Sequence, residues 1–211
     1  VLMHPRVDAA VFETARGGIL REGLGFDRCD VAVVTNIGVG DHLGLNFITT
    51  VEDLAIVKRV IVQNVSPTGM AVLNAADPMV ANMAASSPGR VTFFAQDVMQ
   101  PVLALHRAQG NRVLFIENGH IVAAEGNFEH RIRLADIPIT LNGLIGFQIE
   151  NAMAAIGAVW GLGIDWEIVL EGLRTFSNGA DTTPGRFNVF THMGATVIAD
   201  YGHNPDAIEA L

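Results

Sequence analysis

Short apolar runs alternate with amphipathic stretches along the first half of the chain. Strand-type runs lie at 7–12, 31–35, 70–73 and 91–94, and helix-type periodicity lies between them at 19–24, 49–65 and 79–85. A strand, helix, strand rhythm with short connections is typical of a parallel, doubly wound sheet. The pattern therefore predicts an α/β fold of that type.

Beyond about Val102 the pattern changes to a β-rich one. Apolar runs at 112–116, 120–123, 131–134 and 137–141 predict strands, and Asn118-Gly119 between two of them indicates a hairpin turn. We expect these strands to form a small antiparallel β flap on the main sheet. Two helices are predicted next, over 152–160 and over 166–173, the second capped by Asp165.

A segment rich in Ser, Asn, Gly, Thr and Pro at 177–185 has the composition of a domain linker. Strands are predicted after it at 186–190 and 195–199, and Asn204-Pro205 favours a helix start. We therefore expect a large domain over 1–176, a linker over 177–185 and the beginning of a second α/β domain over 186–211. Because the chain opens inside a β/α fold and stops one turn into a helix, we expect a fragment of a longer protein.

Composition excludes several classes of protein. Hydrophobic residues make up 50% of the chain, which is enough for a substantial core, and the formal net charge of −9 argues against nucleic acid as a partner. No apolar run reaches the roughly 18 residues of a membrane span. The single cysteine, Cys29, excludes an internal disulfide and a cysteine-based zinc site. These features predict a cytoplasmic protein without a membrane partner.

The only lysine of the chain, Lys58, lies within a predicted helix that a Thr49 to Glu52 capping box opens. It stands beside Val57 and one turn from Leu54 and Ile61, on the face that the periodicity assigns to the core. Burial favours a neutral amine, which can act as a nucleophile or base or take up carbon dioxide as a carbamate. The alternative is a lysine whose stem covers the boundary of the helix while its ammonium stays in water.

Polar residues follow the ends of the first two predicted strands. Glu13 comes directly after one strand, and Asn36, Asp41 and His42 come after the next. In open α/β sheets ligands bind at the carboxyl ends of the strands, so these side chains could meet in space. Taken singly, Glu13 could equally be a helix-capping acid, and His42 could equally be a hydrogen-bonded loop histidine.

The common nucleotide-binding motifs are absent from the sequence. The phosphate-binding P-loop needs a lysine directly after glycine, but Lys58 follows valine, and no Gly-x-Gly-x-x-Gly occurs. We therefore do not expect this stretch alone to hydrolyse ATP.

Seven short motifs, in this order and spacing, together resemble the Mur ligase family. They are Glu13-Thr-Ala-Arg-Gly-Gly, Thr35-Asn36 followed by Asp41-His42-Leu, Lys58, Asn74-Ala-Ala-Asp77, Gly146-Phe-Gln-Ile-Glu-Asn151, Pro184-Gly-Arg186 and Asp200-Tyr-Gly-His203-Asn-Pro. Two of the sequence segments, the one that begins at Glu13 and Phe26-Asp-Arg-Cys-Asp30, resemble the cyanophycin-forming branch of that family. Gln148 departs from the wider pattern, which has asparagine there.

The resemblance implies a Mur ligase central domain and an ATP-dependent amide ligase that works through an acyl phosphate. In the cyanophycin-forming branch the partners are arginine and an aspartate polymer, and a homo-oligomer is expected for the full-length protein. Glu13 and His42 would bind Mg²⁺, and a carbamylated Lys58 would hold a second ion or orient the γ-phosphate. Asn74, Asp77 and Asn151 would surround the adenosine, while Arg186, Asp200 and His203 would close onto the nucleotide.

Two other interpretations of the sequence stay open. The chain could belong to another Mur-like ligase, of the peptidoglycan-precursor or folylpolyglutamate type. It could also be a non-catalytic scaffold module whose nucleotide site has decayed, although the presence of Glu13, His42 and Lys58 together speaks against decay.

Overall fold

The computed structural model describes residues 2–38, 44, 47–202 and 205–211. Its strands are β1 (Cys29–Val34), β2 (Val65–Asn74), β3 (Arg90–Asp97), β4 (Val113–Glu117), β5 (His120–Glu125), β6 (Phe128–Arg133), β7 (Asn188–His192) and β8 (Ala195–Ala199). Its helices are α1 (Arg16–Glu22), α2 (Val51–Gln63), α3 (Pro78–Ala81), α4 (Pro101–Ala108), α5 (Gly146–Gly161), α6 (Trp166–Thr175) and α7 (Pro205–Glu209), with 3₁₀ turns at Asn82–Ser86, Leu134–Asp136 and Pro138–Thr140.

The first six strands form one sheet in chain order, β1-β2-β3-β4-β5-β6. Strands β1 to β4 are parallel, and β5 and β6 are added antiparallel. This confirms the mostly parallel α/β sheet that the pattern predicted. The expected antiparallel part is also confirmed: β5 and β6 extend the main sheet beyond β4. The tight turn at Asn118 and Gly119, both with positive φ, joins β4 to β5 as predicted.

Both faces of the sheet are covered, which explains the near-continuous apolar runs of its strands. Leu73 of β2 packs in a core with Leu54 of α2, whereas its neighbour Val72 packs on the opposite face with Met153 and Ile156 of α5. Glycine allows α5 to approach the sheet closely: a Cβ at Gly157 would lie 2.6 Å from a methyl group of Val72. The carboxyl-terminal half of α5 is therefore pressed onto β2.

The strand predicted at 7–12 is wrong. The segment forms no strand and is exposed, Val11 almost completely, at 99%. An apolar run becomes a strand only where a neighbouring backbone offers hydrogen bonds, and this segment does not pair with β1, the outermost strand of the sheet.

Other predicted boundaries shift for local reasons. Residues 67–69, expected as a turn, belong to β2, where Gly69 lets the backbone pass so close that a Cβ would lie 2.4 Å from the carbonyl oxygen of Asp30. The capping box of α2 is formed by Thr50 and Asp53, one residue later than predicted. Residues 137–141 form a 3₁₀ turn instead of a strand. Helix α4 was missed, although Pro101 at its first position and the cap by Gln100 are start signals.

The last elements stand apart from the main sheet. Strands β7 and β8 form a separate antiparallel hairpin, close to the two strands predicted there, and α7 begins at Pro205 as predicted. The irregular stretch between α6 and β7 covers the predicted linker, but the division of the chain into domains stays a prediction. Among the described residues, no helix has the length and apolar character needed to cross a membrane.

Candidate functional site

A polar cavity of about 580 Å³ lies beyond the carboxyl end of β1. Its wall combines the loop after β1, helix α2, the amino-terminal turn of α5, the segment around the β7–β8 hairpin and helix α7. The lining residues are Thr35, Asn36, Gly38, Lys58, Phe147, Gln148, Glu150, Asn151, Asn178, Arg186, Asp200, Ala207, Ala210 and Leu211. Five of the residues that the sequence proposed therefore share one cavity: Asn36, Lys58, Asn151, Arg186 and Asp200.

Lys58 is half-buried in the wall of this cavity. Leu54, Val57 and Val62 of α2 are buried against the sheet, so the helix carries Lys58 at the border of its apolar face. The position fits a cation held beside the site, and it equally fits a lysine whose stem packs while its nitrogen reaches the cavity. Its chemical role stays a prediction.

Asp77 is not among the residues that line the cavity, and its carboxylate holds two loops of the sheet together. One carboxylate oxygen accepts the backbone N–H groups of Met79 and Val80, at 2.9 and 3.2 Å, and caps α3. The other oxygen accepts the N–H of Ile37 at 2.7 Å, which ties the loop after β1 to the loop after β2. Both oxygens are engaged within the protein, so the predicted adenosine contact has no support in this geometry and stays a prediction.

Asn74 is also occupied by the fold. Its side chain is buried, at 4% exposed, and its Oδ1 accepts the N–H of Ala76 at 2.9 Å. Neither Asn74 nor Asp77 lines the polar cavity. The Asn74-Ala-Ala-Asp77 motif thus builds the turn between β2 and α3.

The amino-terminal turn of α5 brings a set of amide and carboxylate groups to the rim. Asn151 Nδ2 donates to Gln148 Oε1 at 3.1 Å, and Gln96 Nε2 from β3 donates to Glu150 Oε1 at 3.0 Å. The sequence motif that ends at Asn151 also contains Gln148 and Glu150, but the sequence analysis assigned a role only to Asn151. Polar side chains three residues apart on an otherwise apolar helix were the available signal.

Arg186 and Asp200 reach the cavity from the hairpin segment. Asp200 Oδ2 accepts the N–H of Phe187 at 2.8 Å, and Phe187 adopts a positive φ of 52°. The Phe187 ring packs edge-on against Phe147 of α5, with centroids 5.3 Å apart. The guanidinium of Arg186 lies 5.5 Å from the centre of the Tyr201 ring. Asp200 therefore fixes the turn that presents Arg186.

The predicted Mg²⁺ ligands are not gathered by the described part of the chain. Glu13 is exposed and does not line the cavity, and His42, with Asp41, lies outside the described residues, as does His203. Within the described ranges, no group of three or more His, Cys, Asp or Glu side chains could hold a metal ion. The Mg²⁺ site therefore stays a prediction.

A second cavity, an apolar groove of about 480 Å³, runs between α5 and α6. Aliphatic side chains such as Ile156, Ile168 and Leu173 form its walls, and Phe176 lies among the lining residues. Gln148 and Asn151 line both the groove and the polar cavity. The two spaces therefore meet at these side chains.

Comparison with known proteins identifies the family. The model of the Mur ligase middle domain matches residues 2–159. This chain belongs to the Mur ligase family. The crystal structure of MurF from Acinetobacter baumannii has the same fold, with a TM-score of 0.59 at 18% identity, covering 86% of this chain and 36% of that one.

Among the family, curated cyanophycin synthetases are similar over nearly the whole chain. The protein of Synechocystis sp. is 44% identical over 100% of this chain and 24% of its own length, and that of Geminocystis herdmanii is 44% identical over 97% and 24%. A UDP-N-acetylmuramoylalanine–D-glutamate ligase of Desulfitobacterium hafniense is 30% identical over 86% of this chain. The chain spans about a quarter of the length of its cyanophycin synthetase relatives.

Proposed function

We propose that this chain is the nucleotide-binding core of an ATP-dependent amide ligase of the cyanophycin synthetase type. The substrates are ATP, arginine and a polyaspartate backbone, and arginine is joined to the β-carboxylates. The observation that carries the proposal is the polar cavity, which collects Lys58, Asn151, Arg186 and Asp200. The identity of 44% over the whole chain supports the cyanophycin branch over the peptidoglycan branch, where it is 30%.

The proposed reaction has two steps. A β-carboxylate oxygen of the polymer attacks the γ-phosphorus of ATP, which releases ADP and gives an acyl phosphate. The α-amine of arginine then attacks the acyl carbon, phosphate leaves, and the amine loses a proton as the amide forms. Phosphoryl transfer depends on positioning and on charges that offset the phosphate oxygens.

Among the described residues that line the cavity, the basic ones are Lys58 and Arg186, and their positive charges would offset those of the phosphates. Lys58 comes from the main sheet domain and Arg186 from the hairpin segment, so a bound triphosphate would join the two. Arg186 presents a planar fork of donors suited to phosphate oxygens. A Mg²⁺ ion is expected here from the family resemblance alone.

The test is ATP-dependent incorporation of arginine into an aspartate polymer. A chimera in which this chain replaces the matching part of the Synechocystis relative supplies the remaining length. Lys58→Ala and Lys58→Arg are compared with the unchanged chimera. Arginine incorporation that falls at least about tenfold in Lys58→Ala is expected, because one charge-assisted contact contributes up to about 3 kcal/mol.

The arginine variant separates the two roles of Lys58. Arginine keeps the positive charge but forms no lysine carbamate, so substantial activity indicates a cation, whereas a loss equal to that of alanine indicates the modified lysine. If the chimera ligates a different amino acid, the assignment to the Mur ligase family stands and the assignment to the cyanophycin branch is wrong. If the parent enzyme is active but the chimera is inactive toward every acceptor, the scaffold interpretation is favoured.

A further inference from the structure

The pairing between β1 and β2 ends where the loop that lines the polar cavity begins. The last pair of the register is Val34 with Leu73, and residues 36–38 lie beyond it. Asn36 and Gly38 of this loop line the cavity. Beyond the end of a strand the backbone has no ladder of hydrogen bonds to restrain it. The position of this loop therefore depends on contacts other than those of the sheet.

Asp77 supplies such a contact. Its Oδ2 accepts the N–H of Ile37 at 2.7 Å, and Ile37 lies between the two loop residues that line the cavity. Its Oδ1 accepts two N–H groups of α3, so the carboxylate cannot turn away from the loop without uncapping that helix. Helix α3 is itself anchored, because Val80 and Ala81 are buried in the core. Hydrogen bonds to a carboxylate are shorter and stronger than those to a neutral acceptor.

We infer that Asp77 is a positioning residue for the phosphate groups of the nucleotide and acts through the loop after β1. Asn36 Oδ1 accepts the hydroxyl of Thr35 at 3.2 Å, which leaves Asn36 Nδ2 as a donor in the cavity wall. Side-chain amides and backbone N–H groups are common partners of phosphate oxygens. A loop that is in place before the nucleotide arrives loses no affinity to its own ordering. This inference rests on the proposed nucleotide-binding function and replaces a direct contact between Asp77 and adenosine.

The test introduces Asp77→Asn into the chimera of the arginine assay. Asparagine keeps one accepting oxygen for the cap of α3, but it places an NH₂ group against the N–H of Ile37. The loop is then in place in only a fraction of the molecules, so the KM for ATP rises while kcat at saturating ATP is retained. We expect KM to rise about fivefold, the difference between a charged and a neutral hydrogen bond, and kcat to stay within about twofold.

Gln100→Ala is the matched control. Gln100 caps α4 through two N–H groups, at 2.7 and 3.1 Å, and is not among the residues that line the cavity. Its loss lowers stability to a similar extent and should leave the KM for ATP unchanged. Tripolyphosphate and adenosine, tested as competitors of ATP, separate the two roles of Asp77. Asp77→Asn should weaken tripolyphosphate about fivefold and leave adenosine unchanged.

A lower kcat at unchanged KM would show a merely structural role and overturn the inference. So would a KM equal to that of the unchanged chimera, or weaker binding of adenosine alone, which is the mark of a direct contact. Amide hydrogen exchange of Ile37 in the 211-residue chain needs no nucleotide: it should become faster in Asp77→Asn but not in Gln100→Ala. Equal exchange in both variants would refute the tether, whereas a chimera that ligates no arginine would count against the ligase proposal.

Discussion

Asp77 shows how one side chain can set the geometry of a site that it does not line. Its two oxygens hold the first turn of α3 and the N–H of Ile37, so two neighbouring loops share one carboxylate. Asp77→Ala removes both the helix cap and the hydrogen bond to Ile37, and we expect the free energy of unfolding to fall by about 2–4 kcal/mol. Asp77→Asn retains the cap, because asparagine caps helices as well as aspartate, but weakens the tether, for a loss of about 1 kcal/mol. Urea unfolding measures both, and equal losses would contradict this division.

Glu125 links stability to pH. Burial alone would raise the pKa of Glu125, but hydrogen bonds from Arg112, at 2.8 Å, and from Arg90 outweigh it and lower the pKa below its ordinary value of 4.5. A carboxylate whose pKa is lowered by folding stabilises the folded state at pH values above its pKa in the unfolded chain. This stabilisation is lost as the pH falls through its pKa in the folded protein. We expect the stability difference between wild type and Glu125→Gln to be largest near neutral pH and to vanish well below pH 4.5. A constant difference between pH 7 and pH 3 would be evidence against this role.

At the scale of elements, the packing of α5 on the sheet positions the part of the polar cavity that α5 forms. A Cβ at Gly157 would lie 2.6 Å from Val72 and 3.3 Å from Leu114, both buried. Gly157→Ala should therefore destabilise the fold by about 1–3 kcal/mol, although alanine favours helices. Gly172 of α6 has no atoms within 4 Å of a built Cβ and provides the control, which should gain up to about 1 kcal/mol. Thermal melts of both variants test this, and a stabilised Gly157→Ala would refute the close approach.

The sequence predicted most elements because each carries its own signal. β8 was predicted at its observed bounds, whereas the segment 7–12 was wrong because an apolar run does not reveal whether a partner strand is available. The site was predicted in part for a similar reason. Helical periodicity indicated Lys58, and the family resemblance indicated Asn151. The tethering role of Asp77 depends on the backbone of a distant loop that no local pattern contains.

At the scale of the whole molecule, we expect stability to differ between the main sheet and the β7–β8 hairpin. Strands β2 and β3 are central in the sheet, while β7 and β8 form a hairpin whose residues beyond Asn188 are exposed. Isolated two-stranded hairpins are marginally stable. In native-state hydrogen exchange we expect β7 and β8 amides to exchange through local opening, much faster than those of β2 and β3, which require global unfolding. Equal protection would show that contacts such as that between Phe147 and Phe187 bind the two parts into one cooperative unit.

Because Lys58 is the only lysine, a lysine-specific endoprotease has a single place to cut this chain. That bond lies in the middle of α2, between the buried residues Val57 and Val62, and it becomes accessible only when the helix opens. Cleavage at low protease concentration then follows the population of the open form. The rate of cleavage after Lys58 thus measures how often α2 opens. A slower rate on addition of a ligand would report binding next to α2 without any label.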